Sequence, residues 1–202
     1  MITVILCSIT VIISWQCFSN NVLFDTLSLR PYKIFNQFEF YRIITHAFLH
    51  VGWEHLLFNM ITLVFMGLSV EHICSFYFKQ FYIIIYLSIY LGAIVFSALY
   101  AVITKRNNRE YSAVGASGAV SAIVFTYILF EPLQKMYLMG LPIGIPAILF
   151  GALFIIASVY LAKKNNDIIA HDAHIGGAIW GFIFPILVKP ELFTIFISQL
   201  RI

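Results

Sequence analysis

Charged residues divide the chain into long, uncharged apolar stretches. Six of these, residues 1–24, 53–70, 81–104, 112–130, 141–162 and 173–188, come close to the roughly 20 residues that carry a helix across about 30 Å of hydrocarbon. Helices rather than strands follow from that length, because a spanning segment must satisfy its own backbone hydrogen bonds. A last apolar piece, residues 192–200, is too short to span and reads as an interfacial or packed tail. The longest connection, residues 25–52, mixes Arg30, Pro31, Lys33, Glu39 and Arg42 with Tyr32, Phe35, Phe38 and Tyr41. That mixture suits a structured loop dipping partly into the membrane. The pattern predicts an all-α membrane protein forming a single domain over residues 1–202, with no visible internal repeat.

Composition strengthens this picture and removes alternatives. The chain is 61% hydrophobic and 10% charged, against about 45–50% and 25% for globular proteins. With 20 Phe, 11 Tyr and 3 Trp and a mean hydropathy of +0.94, a soluble fold has too little polar surface to clothe it. The net charge of +3 is scattered without a basic run, which excludes a nucleic-acid partner. Cys7, Cys17 and Cys74 form no CxxC pair, lie in or beside apolar stretches and behave as small hydrophobes. The first stretch has neither a basic flank nor a small-residue cleavage pattern, so the expectation is a membrane span rather than a removable signal.

Polar groups inside apolar stretches are costly and therefore informative. Three clusters stand out: His46, His50, His55 and Asn59 within HAFLHVGWEHLLFN; Gly115 to Gly118, GASG, with Ser117; and HDAHIGG, with His174. Spans two, four and six of a six-span chain begin on the same side of the bilayer, so all three clusters share one face. Ser117 lies about six residues past Tyr111, on the order of 10 Å or less below the boundary, within reach of water. A hydroxyl, a base and further donors converging from distant stretches meet the needs of nucleophilic catalysis. Gly115 and Gly118 permit a tight turn into the helix and close approach by a substrate backbone. The helix N-terminus favours an anionic intermediate, with the Ser117 amide as one donor and Asn59 and His55 as side-chain donors. His174 would deprotonate Ser117 and then protonate the leaving amine.

Over nearly its whole length the sequence resembles the rhomboid family of intramembrane serine proteases. GASG is similar to the family's GxSG motif, with Ser117 as nucleophile. AHIGGAIWG is similar to AHxxGxxxG, with His174 as base and Gly177 and Gly181 as helix-packing glycines. HAFLHVGWEHLLFN resembles the histidine-rich second span, which gives His55 and Asn59 oxyanion roles. Tyr41 and Arg42 stand where members often have Trp-Arg, and Glu71 where the family closes span two with an acid. The resemblance implies a six-transmembrane-helix rhomboid-like bundle of the minimal bacterial type with a long structured first loop. It also implies no metal or cofactor, transmembrane protein substrates in the lipid bilayer, and a bacterial plasma membrane location. It departs at Ser121, where many members carry a Tyr whose ring stacks under the catalytic His.

Other readings use the same residues. Gly177 and Gly181 form a small-xxx-small pair, which means packing in any hypothesis. His46 and His50 could form half of a metal site and His171 and His174 the other half, although no HExxH is present and nothing is placed to complete it. Structural hydrogen bonding is the simpler role for His46 and His50. Asp172 reads as a solvated residue at a helix start, and Arg42, Glu71 and His72 as boundary groups. A catalytically silent rhomboid-like protein that binds membrane clients is the alternative function, and a histidine-based metal transporter a third. For orientation, the resemblance implies a cytoplasmic N-terminus, whereas a count of Lys and Arg by loop, eight to four, implies the reverse.

Overall fold

The computed structural model describes residues 1–137, 144–164 and 171–201, with the backbone alone at 161–164 and 171–172. The protein is all-α. Helix α1 (Ile2–Ser19) is followed by a connection holding three short helices, α2 (Asn21–Leu27), α3 (Pro31–Gln37) and α4 (Arg42–Thr45), and a single 3-10 turn (His46–Phe48). Then come α5 (Trp53–Phe78), α6 (Tyr82–Thr104), α7 (Ser117–Phe130), α8 (Ala147–Lys164), α9 (His171–Val188) and α10 (Glu191–Leu200). Helices α1, α5, α6, α7, α8 and α9 each overlap one of the six expected intervals. By length and composition, α1 and the run from Trp53 to Thr104 can cross a membrane. That run turns at Lys79, whose φ of 48° breaks the helix into pieces of 26 and 23 residues.

Side chains facing outward from this bundle are apolar, including Ile12 and Trp15 on α1, Phe58 and Phe65 on α5, and Ile103 on α6. A belt of this kind is stable only against hydrocarbon, so the chain is an integral membrane protein. Helix α7 runs through the middle, buried on nearly every side. Its 14 residues extend only about 21 Å, shorter than the bilayer, and this is where the expected span at 112–130 is corrected. Residues 112–116 are not helical; they lead down into the protein, and Ser117 opens the helix.

The fifth expected span, 141–162, is also corrected. Residues 135–137 and 144–146 pair as a short antiparallel ribbon, Met136 opposite Ile145, and α8 starts only at Ala147. The amides of Ala147 and Ile148 bond the carbonyls of Gln134 and Pro132 (2.9 Å each), which satisfies the start of the helix from outside it. At the end of the chain α10 bends 116° from α9 and buries Leu192 and Phe196, while Gln199 donates to the Phe130 carbonyl (3.1 Å). The tail is therefore packed beneath α7.

Two charged residues expected at boundaries are instead internal clamps. Glu71 on α5 accepts the amides of Ile2 (2.8 Å) and Thr3 (3.0 Å) and the Thr3 hydroxyl (2.7 Å), capping the first turn of α1. Arg42 is 2% exposed. Its guanidinium bonds Glu39 and the carbonyls of Asp25 and Ser28, tying together the loop between α1 and α5.

Candidate active site

The segment leading to Ser117 is held from three directions. Ala113 pairs with Leu29 of the first loop through two backbone bonds of 3.0 and 3.1 Å. The Gly115 amide donates to the His46 carbonyl (2.9 Å), and the Ala116 amide to His50 Nε2 (3.3 Å). Gly115 has φ +123°, a conformation in which a side chain is strained, and a Cβ there would stand 2.7 Å from the His55 ring. Two separate constraints thus call for glycine. The backbone then enters α7, where the first-turn N–H groups of Ser117, Gly118 and Ala119 have no acceptor within the helix. These donors and the positive end of the helix dipole lie at the turn that carries Ser117.

His50 explains how the loop is fixed. Because Nε2 accepts from Ala116, the ring proton sits on Nδ1 and is donated to the Ser14 hydroxyl (3.0 Å), which in turn donates to the Phe48 carbonyl (3.1 Å). His46 donates from Nδ1 to the Arg42 carbonyl (3.1 Å). Burial pushes both rings down, His46 to about 4 and His50 to about 3, with neighbouring His55 adding to the second shift. Both are neutral at pH 7.

Glycine packing holds α9 against α7. A Cβ on Gly177 would lie 2.7 Å from the Gly118 carbonyl carbon, and one on Gly181 would lie 2.5 Å from Ala122 Cα. Backbone therefore meets backbone along α7 and α9. His174 is one turn before Gly177 on the same stripe, so its ring starts at the turn of α9 that faces the first turn of α7. The Phe154 ring lies against it, centroids 5.5 Å apart and planes at 33°. The Ser121 hydroxyl donates to the Ser117 carbonyl (2.7 Å).

His55 and Asn59 lie on the adjoining face of α5. The His55 ring meets His50 edge-on at 4.8 Å. Asn59 is buried and one of its amide hydrogens is directed to the His55 carbonyl (2.8 Å). Beside Ser117 a cavity of about 20 Å³, lined by Leu29, His46, Ser97, Gly115, Ser117 and Ala173, is large enough for one water. Among the described residues no three of His, Cys, Asp and Glu gather in a metal-binding group. The side chain of His171, half of the histidine pair considered for a metal, lies outside the described residues, as does that of Asp172. Sequence reasoning overlooked Ser14, Ser97 and Phe154; single residues on apolar helices carry no pattern that marks them.

A rhomboid domain matches residues 37–191 of the chain, a region that contains every residue just described except Ser14 and Leu29. The chain belongs to the rhomboid family. It is 30% identical over 179 residues to RHOMBOID-like protein 12, mitochondrial, of Arabidopsis thaliana, covering 83% of this chain and 52% of that protein. It is 32% identical over 165 residues to RHOMBOID-like protein 2 of the same plant, covering 79% and 46%. It is also 30% identical over 148 residues to Rhomboid protease GluP of Bacillus subtilis, covering 72% and 25%. The chain spans about half or less of the length of these rhomboid relatives. The rhomboid domain occurs in plant proteins, one named mitochondrial, as well as in a bacterium. What carries over is an integral membrane protein, without the bacterial plasma membrane expected from the sequence.

Proposed function

We propose that this rhomboid family member is an intramembrane serine protease that cleaves peptide bonds in or beside the transmembrane segments of other membrane proteins. One observation carries the reading: Ser117 opens a buried, short helix at the point where α9, with His174 one turn before Gly177, packs against it backbone to backbone. In this reading His174 takes the proton of Ser117 Oγ as the oxygen attacks the scissile carbonyl. The oxyanion is stabilised by the Ser117 amide and by His55 and Asn59. His174 next protonates the leaving amine, and water, from the side of the small cavity, hydrolyses the acyl-serine. No metal or cofactor takes part.

The recessed helix start suits a substrate that unwinds locally. A helical peptide bond is shielded by its own hydrogen bonds, so substrates with small or helix-breaking residues near the cut are favoured. The reading is supported by the resemblance of GASG and AHIGGAIWG to the protease motifs and by likeness to a relative named a rhomboid protease.

The test is labelling of purified protein with a serine-reactive fluorophosphonate, together with cleavage of a model transmembrane substrate. Wild type is expected to do both, and Ser117→Ala and His174→Ala to do neither while remaining folded; either loss alone should cost nearly as much as both. Wild-type protein that takes up no label yet binds transmembrane clients would establish the silent, client-binding alternative.

A further inference from the structure

We infer that Phe154 on α8 is a positioning residue for His174, holding the imidazole in the plane needed to reach Ser117; the inference rests on the protease reading of these two residues. The observation is the ring contact itself, 5.5 Å between centroids with planes 33° apart, within the range of a packed aromatic pair. An imidazole needs such a wall because its outer torsion is broad and not fixed by rotamer preference. On α7, the position one turn after Ser117 carries no ring. The residue one turn after Ser117 is Ser121, and its short side chain is bonded back to the Ser117 carbonyl.

Phe154 is in turn held in place. Gly151, one turn earlier on α8, brings that helix close to α7: a Cβ there would lie 2.7 Å from Ile128 Cδ1 and 3.4 Å from the Phe125 ring. Phe154 shares this face of α8. Its ring is flanked by Phe150 (6.2 Å, 26°) and by Phe125 of α7 (6.1 Å, 55°). The base on α9 is therefore oriented from a third helix that carries no polar part of the site, and the ring, rather than apolar bulk, is what the role requires.

Four proteins in detergent, wild type, Phe154→Leu, Phe154→Tyr and Phe76→Leu, are compared for cleavage of a model transmembrane substrate, with Ser117→Ala as the blank. Misplacing a catalytic group by about 1 Å costs about 100-fold. Phe154→Leu should accordingly lower kcat by about 10- to 100-fold with KM nearly unchanged, while Phe154→Tyr and the outward-facing control Phe76→Leu stay within about 3-fold of wild type. If thermal unfolding shows that Phe154→Leu does not fold, the same split is read from Phe154→Met, which fills the space with a flexible chain. Wild-type kcat in Phe154→Leu, a change in KM alone, or equal losses in the Leu and Tyr variants overturns the inference while the protease reading stands. Absence of Ser117-dependent cleavage by wild type overturns the protease reading, and the inference falls with it.

Discussion

His50 and Ala116 are joined by a hydrogen bond of 3.3 Å from the Ala116 amide to the ring Nε2, so a histidine of the first loop fixes the residue directly before Ser117. The other ring nitrogen is anchored to Ser14 of α1. The position of Ser117 is thereby tied to α1. His50→Ala leaves the Ala116 amide buried and without its acceptor, a loss of about 1–3 kcal/mol. A lower thermal unfolding midpoint in detergent and slower cleavage are expected together, and an unchanged midpoint would show that this bond does not hold the loop.

Acid should destabilise the protein through the same loop. Burial keeps His46 and His50 neutral in the folded state, at about 4 and about 3, whereas in the unfolded chain each takes up a proton below about 6.5. The unfolded state therefore binds more protons between these limits. Their contribution to stability is complete above about 6.5 and is lost as pH falls toward 4 and then 3. Unfolding midpoints measured from pH 8 to pH 4 should hold steady at first and then drop, with a shallower drop in His50→Ala.

Removal of one oxyanion donor should slow turnover without abolishing it. Asn59→Ala or His55→Ala is expected to reduce kcat by about 10- to 1000-fold. Wild-type rates in both variants would mean that backbone amides alone stabilise the oxyanion. A strong chelator should leave activity intact, and inhibition reversed by zinc would favour a metal role for the histidines.

Helix contact between α7 and α9 leaves no room for a methyl group at Gly181, where a Cβ would stand 2.5 Å from Ala122 Cα. That neighbour is backbone and cannot turn aside. Gly181→Ala should cost about 1–3 kcal/mol through overpacking and separate the two helices that carry Ser117 and His174. A midpoint within a degree of wild type would show that the helices tolerate the extra spacing.

Orientation follows from where the cations are used. On a count of loops, the side carrying the site holds eight of twelve Lys and Arg residues, against the positive-inside tendency. Five of those eight are engaged within the protein. Arg30 and Lys33 pair with Asp25, Arg42 is buried, and Lys105 and Arg109 lie over the rings of Tyr111 and Tyr32. The expected arrangement is a cytoplasmic N-terminus with the site on the opposite side. In Asn108→Cys the introduced thiol should react from the non-cytoplasmic side, and reactivity from the cytosol alone would invert the topology.

The sequence by itself determined the all-α membrane character, because a stretch of about 20 uncharged apolar residues has few stable alternatives to a helix in lipid. Ser117, His174, His55 and Asn59 stood out as candidates for a related reason: each is a polar group placed where hydrocarbon penalises it. Periodicity and composition count residues along a line, however, and ends of elements are set by partners elsewhere. The start of α7 at Ser117 depends on Leu29, His46 and His50; the cap of α1 depends on Glu71, nearly seventy residues away. The contact of the Phe154 ring with His174 depends on how closely Gly151 lets α8 approach. One phenylalanine among 20 carries no mark of its neighbour. Only the packing of three helices, fixed by the shapes of their glycine faces, decided which ring meets the base.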